Sequence, residues 1–251
     1  MSRRRLVTIP FSHYCEKARW ALDRAGMSYD EEMHLPVFHS VAVRRAGGTR
    51  MVPVLVTPHG PIEDSTRIVE WIDAMLPEER RLFPHEAALR AEVSRWEDRF
   101  DRDLGPATRR WGYGHILTDR ARALAILGRY APAWEFAALK LAWPAARALI
   151  GRGLGVTPDG VARSFAKVNA VFDDVGAALA DGRRYLAGDR FTAADLAFAS
   201  LAAPALLPDG YAKWLGGRDE MPPSMRPQVE AWRATLAGRY GLRLYDDERG
   251  R

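Results

Sequence analysis

Residues 6–26 read LVTIPFSHYCEKARWALDRAG, and the rest of the chain is organised around them. Leu6-Val7-Thr8-Ile9 is a short apolar, β-branched run, the pattern of a buried strand. Pro10 breaks it. Cys15, Ala18, Leu22 and Ala25 then recur at spacings of three and four, one face of a helix, and Gly26 stands at the position just past a helix end. Ser12 falls at the helix start, where free backbone N–H groups and the positive end of the dipole favour an anion.

The bulk numbers bound the remainder. A chain of 251 residues suits one large or two ordinary domains, and 47% apolar content supports a sizeable core. The net charge of +5 is spread along the chain and forms no basic block with aromatic interleaving, which argues against nucleic acid. Of the 37 basic residues only Lys17, Lys140, Lys167 and Lys213 are lysine, a bias we attribute to base composition. The single cysteine, Cys15, excludes an internal disulfide framework and fits a reducing cytosol, so the expected location is cytoplasmic. Met1 to Arg5 is basic like the front of a secretion signal, but the apolar run behind it is too short for one. Ala131 to Ile150 is the most apolar later segment; Glu135, Lys140, Pro144 and Arg147 interrupt it, so no membrane span is expected. The six histidines show no metal-ligand spacing with one another or with Cys15, and no metal is expected.

After the first helix, Tyr29 to Leu35 offers a second strand, poorly patterned because of Asp30, Glu31 and Glu32. Residues 36 to 50 suggest a loop or short irregular helix with a Gly47-Gly48 turn. Met51 to Val56 follows as a strand, with Pro53 near its start, where proline is tolerated. Thr57 to Gly60 turns, Pro61 to Glu63 is a short strand, and Asp64-Ser65 opens a helix with an apolar face of Ile68, Val69, Ile72 and Leu76. An Asp or Ser ahead of such a run is also an ordinary helix cap.

Ser12-x-x-Cys15 at a strand-to-helix turn, Val52-Pro53 before a strand and Asp64-Ser65 opening a helix come in this order and at these spacings. Together they resemble the glutathione-binding domain of the soluble glutathione transferases, a thioredoxin-like α/β fold, over roughly residues 5 to 85. The resemblance places Ser12 where those enzymes carry their catalytic Ser or Cys. It implies a cis Val52-Pro53 bond, with the backbone N–H and C=O of Val52 turned outward to pair with the cysteinyl unit of glutathione like an added strand. It also implies that Ser65 and the helix N-terminus take the γ-glutamyl carboxylate while the acid before it approaches the ammonium; most members have Glu where this chain has Asp64. Arg50 is the candidate for the glycine carboxylate, since the family's basic residue often sits close before the Val-Pro. A homodimer is expected on the same ground.

Leu76 to His85 is polar and carries two prolines. The expected domains are therefore residues 1–78, binding glutathione, a linker at 79–85 and an all-α domain at 86–251. Leu89, Val93, Trp96, Phe100 and Leu104 mark one helical stripe, ending near Gly105-Pro106, and Val161, Phe165, Val168, Phe172, Val175 and Leu179 mark another. No strand-like alternation follows residue 86, which predicts a helical bundle. Phe191-Thr192-Ala193-Ala194-Asp195-Leu196 is a capping box with Asp in place of Glu. With Tyr185 to Asp189 before it, it resembles the folding motif of the family's second domain, which makes Thr192 and Asp195 stability residues. Gly151 to Gly155 follows no strand and suggests a linker, not a phosphate loop. Asp173-Asp174 and Asp246-Asp247 suggest a polar helix face and a tail. Residues 106 to 160 match nothing specific. In the family the corresponding helices wall the site of the electrophilic substrate, so Trp111, Tyr113 and His115 are candidates for that wall.

A thiol such as glutathione's has a pKa of about 8.5, so only a few per cent is thiolate at pH 7. Lowering it by about two units takes about 2.7 kcal/mol of selective anion stabilisation. A hydroxyl donating to a charged acceptor supplies about 1.5–3 kcal/mol, and a partly buried helix N-terminus adds up to about 2 kcal/mol. Ser12 with its helix end is therefore sufficient without a general base, as a donor to the substrate's thiolate. Tyr14 is the rival donor, but it lies inside the first turn, whereas the tyrosine of other glutathione transferases comes ahead of the helix. Cys15 holds the second, resolving position of the motif and lies on the apolar stripe. The expected activity joins glutathione, as co-substrate, to a small hydrophobic electrophile, a detoxification chemistry. The alternatives are a glutathione-dependent thiol-disulfide reductase using Cys15 and a non-catalytic binding module of the same fold.

Overall fold

A computed structural model describes residues 4–249, so the first three residues of the basic Met1 to Arg5 run and the last two residues of the chain lie outside the described residues. β1 (Arg4–Thr8) leads into α1 (His13–Arg24) and the chain returns as β2 (Tyr29–Met33), parallel to β1. A parallel return needs a crossover of this length, and the helix supplies it. α2 (His39–Arg45), β3 (Val54–Thr57), β4 (Gly60–Glu63) and α3 (Ser65–Asp73) complete the unit. The sheet order is β2-β1-β3-β4, with β3 antiparallel to both of its neighbours. Side chains alternate across each strand. Leu6 and Leu55 therefore join the main core with α1 and α3, while Val7 and Val54 build a smaller one with Ala42, Val43 and Ala46 of the α2 segment.

β3 starts at Val54 and not at Met51. Pro53 has no N–H to give a ladder, and the N–H groups of Thr49, Arg50 and Met51 go instead to the Glu63 carboxylate.

Beyond residue 63 the described chain is helical: α4 (Ala87–Arg99), α5 (Gly105–Ile116), α6 (Arg120–Leu127), α7 (Ala133–Leu141), α8 (Trp143–Leu154), α9 (Pro158–Ala178), α10 (Ala193–Leu206), α11 (Asp209–Leu215), α12 (Arg226–Ala234) and α13 (Leu236–Glu248). The molecule is thus a thioredoxin-like α/β unit followed by an all-α bundle. Three local expectations are corrected. The stripe of α4 does not stop at Gly105-Pro106 but passes through a π-helical turn, Phe100–Leu104, straight into α5. Pro106 has no N–H to give the Asp101 carbonyl five residues back, and the Tyr14 hydroxyl takes that carbonyl instead. Gly151 to Gly155 is no linker; it is the last turn of α8 and its left-handed stop at Gly155, φ +62°. Asp246-Asp247 lies within α13, where Asp247 faces Arg243 and Arg184 at 3.5 Å. Among the described residues no helix is long and apolar enough to cross a membrane.

α10 is buried along its whole length and forms the axis of the bundle. Its capping box closes on the Asp195 carboxylate, which accepts from the Thr192 N–H at 2.7 Å, the Thr192 hydroxyl at 3.0 Å and the Leu186 N–H at 2.9 Å. Burial pushes Asp195 up to about 6 against those bonds and one from Tyr240. The two halves share one core: α1 packs on α10, and Trp20 stacks on Phe191 at 5.7 Å. Beside it, Lys17 of α1 is fully buried among the Glu97 carboxylate, the Asp101 carboxylate at 3.1 Å and the Thr66 hydroxyl at 3.0 Å. Burial disfavours the ammonium, and the two carboxylates more than offset it, so the Lys17 pKa is raised. This cluster fastens α1, α3 and the π turn to one another.

Candidate functional site

Two adjoining cavities, of about 360 and 400 Å³, share Met51, Val52 and Arg109 and form one continuous groove. Ser12 opens the first. It caps α1 from an extended backbone (φ −75°, ψ 122°), and its Oγ accepts from the Cys15 N–H at 3.4 Å. That bond is long and weak and uses the oxygen as acceptor, which leaves the hydroxyl its capacity to donate, and Ser12 lines the cavity.

The next two residues fix where the second domain sits. His13 is buried, with Nε2 2.9 Å from the Gly105 carbonyl oxygen. Burial, then the charge of Arg109, push its pKa down to about 3, so the ring is neutral and donates that bond. Tyr14 donates its hydroxyl to the Asp101 carbonyl at 3.0 Å and lines the second cavity, not the first; burial and the Asp101 charge push it upward. It is committed to the domain contact. A Cβ at Gly105 would lie 2.2 Å from the Tyr14 hydroxyl, so only glycine lets the start of α5 come this close. Cys15 is buried and lines neither cavity. Burial pushes its thiol up to about 11 against the pull of Arg19 and Ser12, the reverse of an activated cysteine.

The second cavity gathers Val52, Pro53, Asp64 and Ser65. The Val52-Pro53 bond is cis, as the resemblance implied. Among the described residues neither backbone group of Val52 has a hydrogen-bond partner. Asp64, at φ +82°, caps α3 by accepting from the N–H groups of Thr66 at 2.9 Å and Arg67 at 3.3 Å. A non-glycine residue in that region is strained. Ser65, the first residue of α3, is 2% exposed, and its Oγ has no hydrogen-bond partner. The ordinary-cap explanation therefore accounts for Asp64 and leaves the Ser65 hydroxyl over. Arg50 lines the first cavity.

Of the three aromatic candidates on α5, only Tyr113 lines the groove. Trp111 is core, packed edge-on to Trp232 with ring centres 4.7 Å apart. His115 bonds the Ser224 hydroxyl at 2.8 Å and packs on Trp111. Helix geometry gives the reason: side chains at 109 and 113 share a face, and 111 and 115 share the one behind it.

Several groups at the site were not anticipated. Arg109 lines both cavities, and nothing distinguishes it by sequence in a chain with 37 basic residues. Asp101 brings a carboxylate to the second cavity from the π turn, a feature without a local pattern. Glu63 holds the loop before the proline: its carboxylate accepts from the Thr49 N–H and hydroxyl and the Arg50 and Met51 N–H groups at 2.8–3.1 Å. Burial pushes Glu63 upward, but these bonds outweigh it and hold the carboxyl below its ordinary value. Among the described residues no group of three or more His, Cys, Asp or Glu is placed to hold a metal ion.

Residues 6–80 match the family model for the glutathione S-transferase N-terminal domain, and residues 158–235 match that for the glutathione S-transferase C-terminal domain. The chain belongs to the soluble glutathione S-transferase family. Solved glutathione S-transferases share its fold from end to end. One from Methylobacterium radiotolerans, in complex with glutathione sulfonate, is 20% identical with a TM-score of 0.56, over 96% of this chain and 95% of that one. A theta class glutathione S-transferase from Xanthomonas axonopodis pv. citri, with glutathione bound, is 18% identical with a TM-score of 0.58, over 96% and 98%. A beta-etherase from Sphingobium sp. strain SYK-6 is as similar, 18% identical with a TM-score of 0.58 over 96% and 98%. No curated protein sequence matches the chain.

Proposed function

We propose that this glutathione S-transferase family member binds glutathione along the groove and activates its thiol for attack on a hydrophobic electrophile. The observation that carries the reading is the spare hydrogen-bonding capacity along one line. The Ser12 hydroxyl, the backbone of Val52 and the buried Ser65 hydroxyl are each without a strong partner, in two cavities that join at Val52. A buried polar group left unpaired costs free energy and points to a ligand that pairs it.

In this reading the Ser65 hydroxyl and its own backbone N–H take the γ-glutamyl carboxylate, the Thr66 and Arg67 N–H groups being held by Asp64, and Asp64 and Asp101 face its ammonium. Val52 pairs with the cysteinyl backbone, and Arg50 takes the glycine carboxylate. The thiol then lies at Ser12. Its proton leaves to solvent, Ser12 donates to the thiolate, and the α1 N-terminus adds a favourable field; together these supply the roughly 2.7 kcal/mol that two units of acidification need. The sulfur forms a bond to the electrophilic carbon, and the leaving group departs with its electron pair. The apolar part of the first cavity, with Phe11, Tyr113 and Ile150, receives the electrophile's body. The buried, proton-retaining Cys15 supports transfer over a reductase that would use it. By the family resemblance the working form is a cytoplasmic homodimer.

The test is a calorimetric titration of reduced glutathione below the pKa of its thiol, in two buffers of different ionisation enthalpy. Saturable binding with proton release, and a rise of the bound thiol's pKa by about one to two units in Ser12→Ala, is expected. No binding at millimolar glutathione refutes the reading and leaves the fold standing.

A further inference from the structure

Beyond Arg50 the groove carries two further arginines, the exposed Arg67 of α3, which lines the second cavity only, and Arg109 of α5. Arg109 projects from α5 into both cavities, and it also lines a third, an apolar recess of about 50 Å³ with Phe11, Ile116 and Leu127. Among the described residues it has no hydrogen bond and no carboxylate at ion-pair distance; its one ring contact is the face of Tyr14, 5.9 Å away. The first cavity carries Arg109 and Arg50 and no Asp or Glu at all. Its two histidines add no acid either: burial holds both His13 and His39 toward the neutral form.

Glutathione's own anionic groups already have donors in the reading above. The Ser65 hydroxyl and backbone N–H face one carboxylate, Arg50 the other, and Ser12 the thiolate. Arg67 stays beside Asp64 and Ser65 in the second cavity, and Arg109 is left over where the two cavities meet. One turn further along α5 Tyr113, whose hydroxyl has no hydrogen-bond partner among the described residues, lines the same cavity. A guanidinium and a phenol one turn apart, over an apolar recess, make a site for a planar anion on an apolar body.

We infer that the second substrate of this site is an organic acid: an electrophile with an aromatic or aliphatic body and a carboxylate or sulfonate held by Arg109 and Tyr113. This rests on the glutathione-transfer reading and narrows its substrate class. Arg109 acts here as a specificity residue, reading charge on a molecule whose reacting carbon lies at the thiolate. The groove without its acid leaves a half-desolvated cation unpaired, which selects against neutral analogues of the same shape.

The experiment compares chlorodinitrobenzene with its carboxylate-bearing homologue chlorodinitrobenzoate, both attacked by the thiolate with loss of chloride. Rates are divided by the uncatalysed rate of each with glutathione. In the parent protein the acid is expected to have the higher normalised kcat/KM. Arg109→Gln should lower the acid-to-neutral ratio by about tenfold or more, through KM of the acid, and Arg109→Lys, which keeps the charge, should retain most of it. Glutathione affinity and bound-thiol pKa are measured on the same variants. An unchanged ratio overturns the inference, as does a parallel loss on both reagents with a raised thiol pKa, which would assign the cation to the thiolate. A weakened glutathione affinity at constant ratio also overturns it, and assigns Arg109 to the peptide. Turnover of neither reagent by a parent protein that binds glutathione refutes transfer to this class of electrophile and the inference with it; turnover of both with no preference refutes the inference alone.

Discussion

Ser65→Ala separates a binding residue from a structural one, because the two roles predict opposite signs. The hydroxyl is 2% exposed and unpartnered, while the work of capping α3 is done by Asp64. Removing it from the free protein deletes an unsatisfied buried group, whose desolvation costs about 1–3 kcal/mol when no water meets it. Alanine is also the better helix residue, by up to about 0.5 kcal/mol. The variant is therefore expected to be as stable as the parent, or more stable by about 1 kcal/mol. For a chain of this size that is a Tm unchanged or raised by about 2–4 °C. The bound state loses a hydrogen bond to a carboxylate, worth about 1.5–3 kcal/mol, so glutathione affinity should fall by about 10- to 150-fold. Thermal melts with and without glutathione, beside calorimetric titration, give both numbers on one sample. A Tm several degrees lower with unchanged affinity would show that the hydroxyl serves the fold, and would remove the γ-glutamyl site.

Glu63 gives the pH dependence. Its folded pKa is depressed by the N–H groups it accepts from, so its contribution is present above the unfolded value of about 4.3 and is lost as pH falls through the lower folded value. The loop should therefore hold its ligand-binding form from neutral pH to below the ordinary carboxylate value and lose it only as pH falls through the depressed value of Glu63, while Glu63→Ala shows a weakened, several-fold poorer glutathione affinity already at pH 7; equal affinity in the two proteins would refute the loop-holding role. Lys17→Met strands the Glu97 and Asp101 carboxylates inside the protein and should cost about 3–5 kcal/mol in denaturant unfolding, with Glu97→Gln in the same chain recovering part. A cost under about 1 kcal/mol would show that the cluster is not a fastening. Cys15, buried and proton-retaining, should resist alkylation in the native protein and react fully once unfolded, and Cys15→Ala should keep its transfer activity. Stoichiometric native labelling would return the thiol-disulfide chemistry to consideration.

The sequence by itself determined what is encoded within a few residues. The Ser12 cap, the helix start at Asp64-Ser65 and the Thr192 to Asp195 capping box are carried by local pattern and stand where the sequence put them. The first strand is found two residues earlier at its start and ends at Thr8. The cis Val52-Pro53 bond followed from the family resemblance, since local preference favours trans. The apolar stripes likewise announced the bundle, though not the continuity of α4 into α5, since a proline in a first turn looks the same as one that ends a helix. What only the tertiary structure decided is which polar groups are left unpaired and what they share. Asp64 and Ser65 look alike as caps until the fold gives the helix N–H groups to one and buries the other. Trp111, Tyr113 and His115 are equivalent candidates until α5 is turned so that only Tyr113 faces the groove. Arg109 comes to the groove because His13 meets Gly105, 92 residues away, and because glycine there leaves room for Tyr14. Such contacts follow from packing between distant segments, and packing has no period or motif that a linear chain displays.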